Sequence, residues 1–273
     1  MKKSISNFVL VLILLAGLSL LLYPTVADVW NSMHQSRAIA SYTDTVAGLD
    51  SISYDDVWNA ANEYNQTLVG RNVSRFFLTD EEKVWYESLL DVNESGVMGY
   101  IEIGRLGVKM PIYHGTGEGV LQVAIGHIEG TSLPVGGRGT HSVLSGHRGL
   151  PSAKLFTDID RMVEGDVFQL YILDEVLTYQ VDQILVVLPD EVGPLAIEED
   201  KDLCTLVTCT PYGVNSHRLL VRGTRIATPE VEKEVHITNG ARQLERGYVA
   251  LAVGVPLLLI MLVVLLIAGR RRR

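Results

Sequence analysis

The residues best suited to chemistry are Cys209, Arg218 and His147. Cys209 closes the run Leu203-Cys204-Thr205-Leu206-Val207-Thr208-Cys209, and Arg218 stands nine positions later in a second strand-like run. A thiol attacks an amide carbonyl well only when a neighbouring group takes its proton and a donor or cation steadies the oxyanion that forms. His147 lies in Ser145-Gly146-His147-Arg148-Gly149, where the glycines let the backbone turn and hold an imidazole over a neighbouring groove. Thr210-Pro211-Tyr212-Gly213 follows Cys209 directly, and proline cannot continue a hydrogen-bond ladder, so the strand stops there and the thiol is exposed at its end. Arg218, Leu220 and Arg222 share one strand face, which makes Arg222 a rival for the cationic role. A strand arginine is ordinarily a solvated edge charge, whereas a guanidinium near a reacting carbonyl hydrogen-bonds substrate backbone and oxyanion.

The remaining titratable groups suggest duller roles. Cys204 and Cys209 are five apart in one strand, an odd offset that puts their side chains on opposite faces, so they are expected not to pair and Cys204 to be a small buried apolar residue. His114, His127, His141 and His217 sit in contexts suited to structural hydrogen bonding. A cluster of His127, His141 and His147 fits no metal-ligand spacing, and no dense Asp/Asn loop is present, so no metal or cofactor is expected.

Thr205-Leu206-Val207-Thr208-Cys209 resembles the Thr-Leu-x-Thr-Cys signature of sortases. Ser145 to Pro151 with Ala153-Lys154-Leu155-Phe156 is similar to the histidine loop of the class C, pilin-polymerising, members. Pro111 to Thr116, Gly126-His127 with Glu129 to Pro134, and Asn215 to Gly223 extend the likeness from about Gly96 to Thr228. The resemblance implies an eight-stranded β-barrel with short helices, and a cysteine transpeptidase. Cys209 would be the nucleophile, His147 the acid and base, and Arg218 the substrate and oxyanion cation, with Thr208 and Thr205 in support. It further implies substrates bearing a sorting motif resembling Leu-Pro-x-Thr-Gly, cut between Thr and Gly and joined to a lysine amine of a pilin subunit on a Gram-positive surface. A housekeeping sortase that anchors proteins to cell-wall peptide, and a non-catalytic surface binding module, are the alternatives. Class C members commonly carry an Asp-Pro-aromatic lid ahead of the barrel. No Asp-Pro precedes the barrel here, and Ser74-Arg75-Phe76-Phe77 leaves Phe76 and Phe77 as the lid candidates.

Such a site needs elements to position it. From Val97 onward short β-rich runs are punctuated by glycine and proline: Val97 to Ile103, Val108 to Ile112, Ser142 to Ser145, Asp166 to Leu173, Leu177 to Leu188, Leu203 to Cys209 and His217 to Arg225. Pattern alone says mostly β, a barrel or sandwich. Ahead of them, Val57, Ala61, Tyr64 and Leu68 repeat at helical spacing, as do Trp85 and Leu89, and Thr79 with Glu82 reads as a capping box. Two or three helices are therefore expected between Val29 and about Asp91. The sequons at Asn65, Asn72 and Asn93 read as polar loops or turns.

The ends read as membrane segments. Phe8 to Tyr23 is apolar behind Lys2 and Lys3, suiting a signal anchor or a cleaved signal peptide. Tyr248 to Ala268 is uncharged and long enough to cross a bilayer, and Arg270 to Arg273 follow it. Both basic ends are expected in the cytoplasm and the middle outside. Setting Lys2, Lys3 and the four terminal arginines aside from the 23 basic residues leaves 17 against 32 acidic, a net of about −15 that excludes nucleic acid as a partner. The expected organisation is a signal anchor or signal peptide over 1–27, a helical segment over 28–95 and the catalytic barrel over 96–228. A juxtamembrane tether over 229–246, a transmembrane helix over 247–269 and a basic end over 270–273 complete it.

Overall fold

The computed structural model describes residues 2–70 and 78–228. The lid candidates Phe76 and Phe77, the tether and the second apolar span lie outside the described residues. Helix α1 runs Lys2–Ala47, without a break where the apolar run of the sequence ends, and includes a stretch from Val11 long and apolar enough to cross a membrane. Its residues through Val29 and the described residues from Trp30 to Thr228 belong to separate compact units.

In the unit that begins at Trp30, α2 (Ser51–Leu68) and α3 (Asp80–Ser88) precede the strands. The α3 start forms the capping box its sequence suggests: Glu82 N donates to Thr79 Oγ1 at 3.2 Å, and Thr79 N donates to Glu82 Oε2 at 2.9 Å. Eight strands follow: β1 (Val97–Ile103), β2 (Val108–His114), β3 (Ile125–His127), β4 (Thr140–Ser145), β5 (Val167–Ile172), β6 (Glu175–Val187), β7 (Asp202–Thr210) and β8 (His217–Ile226), with the one-turn helix α4 (Glu118–Leu121) between β2 and β3. They close a barrel in the order β1-β2-β3-β4-β7-β8-β6-β5, in which β2/β3 and β4/β7 are parallel and the other pairs antiparallel. Strand β3 is the one the sequence pattern missed; three residues, all buried, are too few to display an alternation.

The barrel interior holds Ile101, Ile112, Ile125, Leu144, Phe156, Phe168, Tyr179, Leu206 and Val221, and the same cluster takes in Ala61, Tyr64 and Leu68 of α2 and Tyr86 of α3. Asn65 corrects the sequon reading: it lies within α2, 1% exposed, with its amide nitrogen donating to Leu133 O at 3.1 Å and its oxygen accepting from Leu133 N at 2.7 Å. A helix face that must be buried overrides the polar-loop tendency of asparagine when both amide groups find backbone partners. The C-terminal part of α1 is fixed by Tyr42, whose hydroxyl donates to Met98 O at 3.0 Å and accepts from Leu173 N at 2.7 Å.

Candidate active site

Parity on β7 decides what each residue of the cysteine strand does. Cys204 and Leu206 enter the barrel core, while Val207 joins Val143 and Leu220 in a separate apolar cluster on the outer face. Cys209 follows Val207 on that outer face and is half-buried, whereas Cys204 is fully buried. Burial, with the charge of Asp202 as a smaller cause, pushes the Cys204 thiol well above its ordinary range. Both thiols are free, as the odd offset requires.

Two neighbouring strands bring partners to Cys209. On one side, antiparallel β8 sets Arg218 directly opposite it. On the other, parallel β4 pairs Ser145 with Val207, and Gly146 N carries the ladder on by donating to Val207 O at 3.1 Å. Arg218 is thus the register partner of Cys209, and the loop that carries His147 leaves β4 tied to the β7 residues just before Cys209. All three are half-buried.

The histidine loop is held from several directions. The Thr208 hydroxyl donates to Gly146 O at 2.7 Å, and His147 O accepts from Phe156 N at 3.1 Å. A Cβ on Gly146 would stand 2.6 Å from Ile125 Cδ1 and 2.7 Å from Phe156 Cδ2, so only glycine lets the chain pass that close to the core. Arg148, not singled out in the sequence, reaches past His147 with its side chain 10% exposed. It pairs with Asp160, approaches Thr210 Oγ1 at 3.4 Å and lies 5.9 Å from the Tyr212 ring centroid. Gly149, at φ 79°, passes beneath the same ring, where a Cβ would come within 2.9 Å. These contacts lock the loop after β4 to the loop after β7. The signal in the sequence was an arginine beside the candidate imidazole, with nothing to say what it would meet.

The two arginines of β8 separate clearly. Arg222 is held by Asp182 through Nε at 3.0 Å and Nη2 at 2.8 Å, and gives Nη1 to Glu198 at 3.1 Å. Arg218 bonds through Nη1 to the carbonyls of Asn215 and His217, and its Nε and Nη2 make no hydrogen bond among the described residues. The supporting threonines lie elsewhere than expected. Thr208, 2% exposed, faces away from Cys209 and spends its hydroxyl on Gly146, because even-numbered residues of β7 point inward. Thr205 shares the Cys209 face but lies four residues up the strand, bonded to His141 at 2.7 Å. Of the other histidines, His114 meets the carbonyls of Gly96 and Leu89, and His127 meets Tyr86 and Ser132 O.

A closed eight-stranded barrel carrying a half-buried thiol at one strand end, opposite a guanidinium on the next strand and beside a histidine-bearing loop tied to the same strand, is a framework suited to thiol acyl transfer. Residues 101–226 match the sortase domain family model. Sortase C1 of Streptococcus agalactiae is 51% identical, the match covering 71% of this chain and all of that one, with a TM-score of 0.68. The sortase C of Clostridium perfringens with the C-terminal cell wall sorting motif is 46% identical over 71% of this chain and all of that one, with a TM-score of 0.62. A sortase D of Bacillus subtilis is 26% identical over 131 residues, which is 47% of this chain; the chain spans 63% of the length of that curated relative. The chain belongs to the sortase family, a family of cysteine transpeptidases, and stands with its class C members.

Proposed function

We propose that this protein cleaves a sorting motif resembling Leu-Pro-x-Thr-Gly between Thr and Gly and transfers the acyl part to a lysine amine of a pilin subunit. What supports the reading is that Arg218 pairs with Cys209 across β8 and β7, while the loop bearing His147 is tied to β7 through Val207 and Thr208, just before Cys209. The Cys209 thiolate attacks the threonine carbonyl, forming an S–C bond and an oxyanion that Arg218, with its uncommitted guanidinium donors, steadies. Collapse breaks the C–N bond, and protonated His147 gives its proton to the departing glycine amine. The incoming amine then loses a proton to neutral His147 as it attacks the thioester, and the thiolate leaves.

Beyond Cys209 the strand ends at Thr210, while before it Val207, Val143 and Leu220 are buried with Leu195 of the connection between β6 and β7. Membrane anchoring through α1, a second span over 247–269, an exported barrel and cytoplasmic ends complete the proposal, and the lid role stays with Phe76 and Phe77.

The test is mass spectrometry of the full chain in detergent after incubation with a sorting-motif peptide. The expected product is a thioester on Cys209 that a primary amine releases as an amide. An adduct on another residue, or amide product formed by a Cys209→Ala chain, would overturn the assignment.

A further inference from the structure

The part of α1 that follows Val29 docks on the barrel along one stripe, because Asn31, Gln35, Ala38, Ile39, Tyr42 and Val46 fall on one helix face. The C-terminal end of the stripe is apolar, with Ile39 and Tyr42 buried among Val97, Tyr100, Tyr171 and Val176. Its N-terminal end is polar. Asn31 Nδ2 donates to Ser152 O at 2.8 Å, and one turn further on Gln35 Nε2 donates to Val123 O at 2.6 Å. Both side chains are half-buried. Asparagine is one of the weaker helix formers, so its place on a docked helix face calls for a partner, and the Ser152 carbonyl is that partner.

Ser152 stands at the turn of a hairpin whose outgoing side begins with His147. His147 O accepts from Phe156 N at 3.1 Å, Gly149 N donates to Thr157 Oγ1 at 3.1 Å, and Leu150 bridges Ala153 in antiparallel fashion, which leaves Pro151 and Ser152 as the turn. The two sides are held differently. On the returning side Ala153, Leu155 and Phe156 belong to the barrel core. On the outgoing side the residues from His147 to Leu150 are half-buried, so the side that bears the imidazole depends on hydrogen bonds for its place. Asn31 supplies one of these at the turn, from a helix outside the hairpin.

We propose that Asn31 is a positioning residue for the base: it fixes the turn of the histidine hairpin to α1 and so limits the orientations that the His147 imidazole samples. The inference rests on the transpeptidase reading, in which His147 passes a proton in each half of the reaction. A loosened base slows those transfers without weakening the hold on the peptide. Because α1 also includes the apolar stretch from Val11, the proposed membrane anchor and the support of the base are one helix.

Asn31→Asp and Gln35→Glu make a matched pair. Each exchanges a donating amide for an acceptor-only carboxylate of the same shape, one turn apart on the same stripe, and each adds one negative charge. In peptide turnover by the full chain in detergent, Asn31→Asp should lower kcat about fivefold with KM within about twofold. Gln35→Glu releases Val123 and not the hairpin, so it should stay within about twofold on both. Amide hydrogen exchange over residues 149–155 should quicken at least about threefold in the first chain and not in the second, a readout that needs no catalysis. An unchanged kcat in the first chain, equal losses of kcat in the two, or a rise in KM alone would overturn the role of Asn31. Should Asn31→Asp not fold, Asn31→Ala takes its place: the same fall in kcat supports the role, and no change overturns it. If the unsubstituted chain turns over no peptide, the transpeptidase reading fails, and exchange over 149–155 still decides whether Asn31 holds the turn.

Discussion

Strand β7 carries two chemistries on one backbone. Its inward residues Cys204 and Leu206 are core, and Thr208 beside them ties a neighbouring loop to the barrel. Of its outward residues, Thr205 bonds His141, Val207 packs in a second apolar cluster with Leu195, and Cys209 is half-buried where the ladder stops. Two cysteines of the same strand, equally capable as residue types, thus differ in everything that matters for reaction. Cys204 is kept protonated by burial and has no imidazole within its row. Cys209 faces Arg218 across β8, and the loop bearing His147 is tied to the β7 residues just before it. Reactivity here is a property of parity and position along the strand.

The sharpest way to break that contrast is to truncate each thiol in turn. Cys209→Ala should lower peptide turnover by at least about 10³-fold, since no other nucleophile stands in its row. Cys204→Ala should leave kcat within about twofold while costing about 1–2 kcal/mol of stability for the atoms removed from a packed core. Turnover and the denaturant midpoint, measured on both chains, check the pair. Loss of activity in the Cys204 variant at an unchanged midpoint would erase the distinction between the faces.

Buried histidines should also make stability depend on pH. His127 is fully buried, accepts from the Tyr86 hydroxyl through Nδ1 and donates to Ser132 O at 2.8 Å; burial pulls its pKa from 6.5 to about 4. Because the folded state holds the ring neutral, the unfolded chain binds its proton first, and unfolding is favoured as pH falls from 6.5 toward 4. A shift of that size is on the order of 3 kcal/mol. Burial holds His141 below its usual range too, and it adds in the same direction. Carboxylates held low by their partners, such as Asp166 and Asp182, contribute only below their unfolded values near about 4. Denaturant midpoints at pH 7.5 and 5 should therefore fall steeply for the parent chain. A His127→Asn chain, less stable throughout, should lose no more than about 1 kcal/mol over the same interval.

How much of this was legible in the sequence depends on the range of the interaction. Strand β1 was readable to its ends because Val97 to Ile103 is a β-rich run bounded by turn residues, and α3 because a capping box is complete within four residues. The opposite facing of Cys204 and Cys209 needed only a period of two. Cys209 is legible from its place before Thr210-Pro211, whereas its pairing with His147 and Arg218 rests on the resemblance, since nothing local in either says that β4 and β8 flank β7. The role of Arg148, the bond between Asn65 and Leu133, and the cross-link from His141 to Ala196 join residues dozens of positions apart, and no local pattern encodes them. The resemblance implies a supporting role for Thr208, whose hydroxyl goes to Gly146 O because neighbours along a strand face opposite sides.

The two threonines of the motif give the smallest and most discriminating comparison. Thr208→Val removes the hydroxyl that satisfies Gly146 O and leaves a buried carbonyl without that donor, a loss of about 1–3 kcal/mol. Gly146 precedes His147, so the imbalance falls on the base: kcat should drop about fivefold while KM holds. Thr205→Val instead deprives His141 Nε2 of its donor and leaves Nδ1 on Ala196, so about 1 kcal/mol of stability should be lost with kcat and KM both unchanged. A loss of kcat from one substitution and a loss of stability alone from the other, three residues apart, follow only if one threonine steadies the loop of the base and the other the connection between β6 and β7. Matching losses of kcat would mean that the two faces of β7 communicate through the backbone, and that parity alone does not separate catalysis from scaffolding.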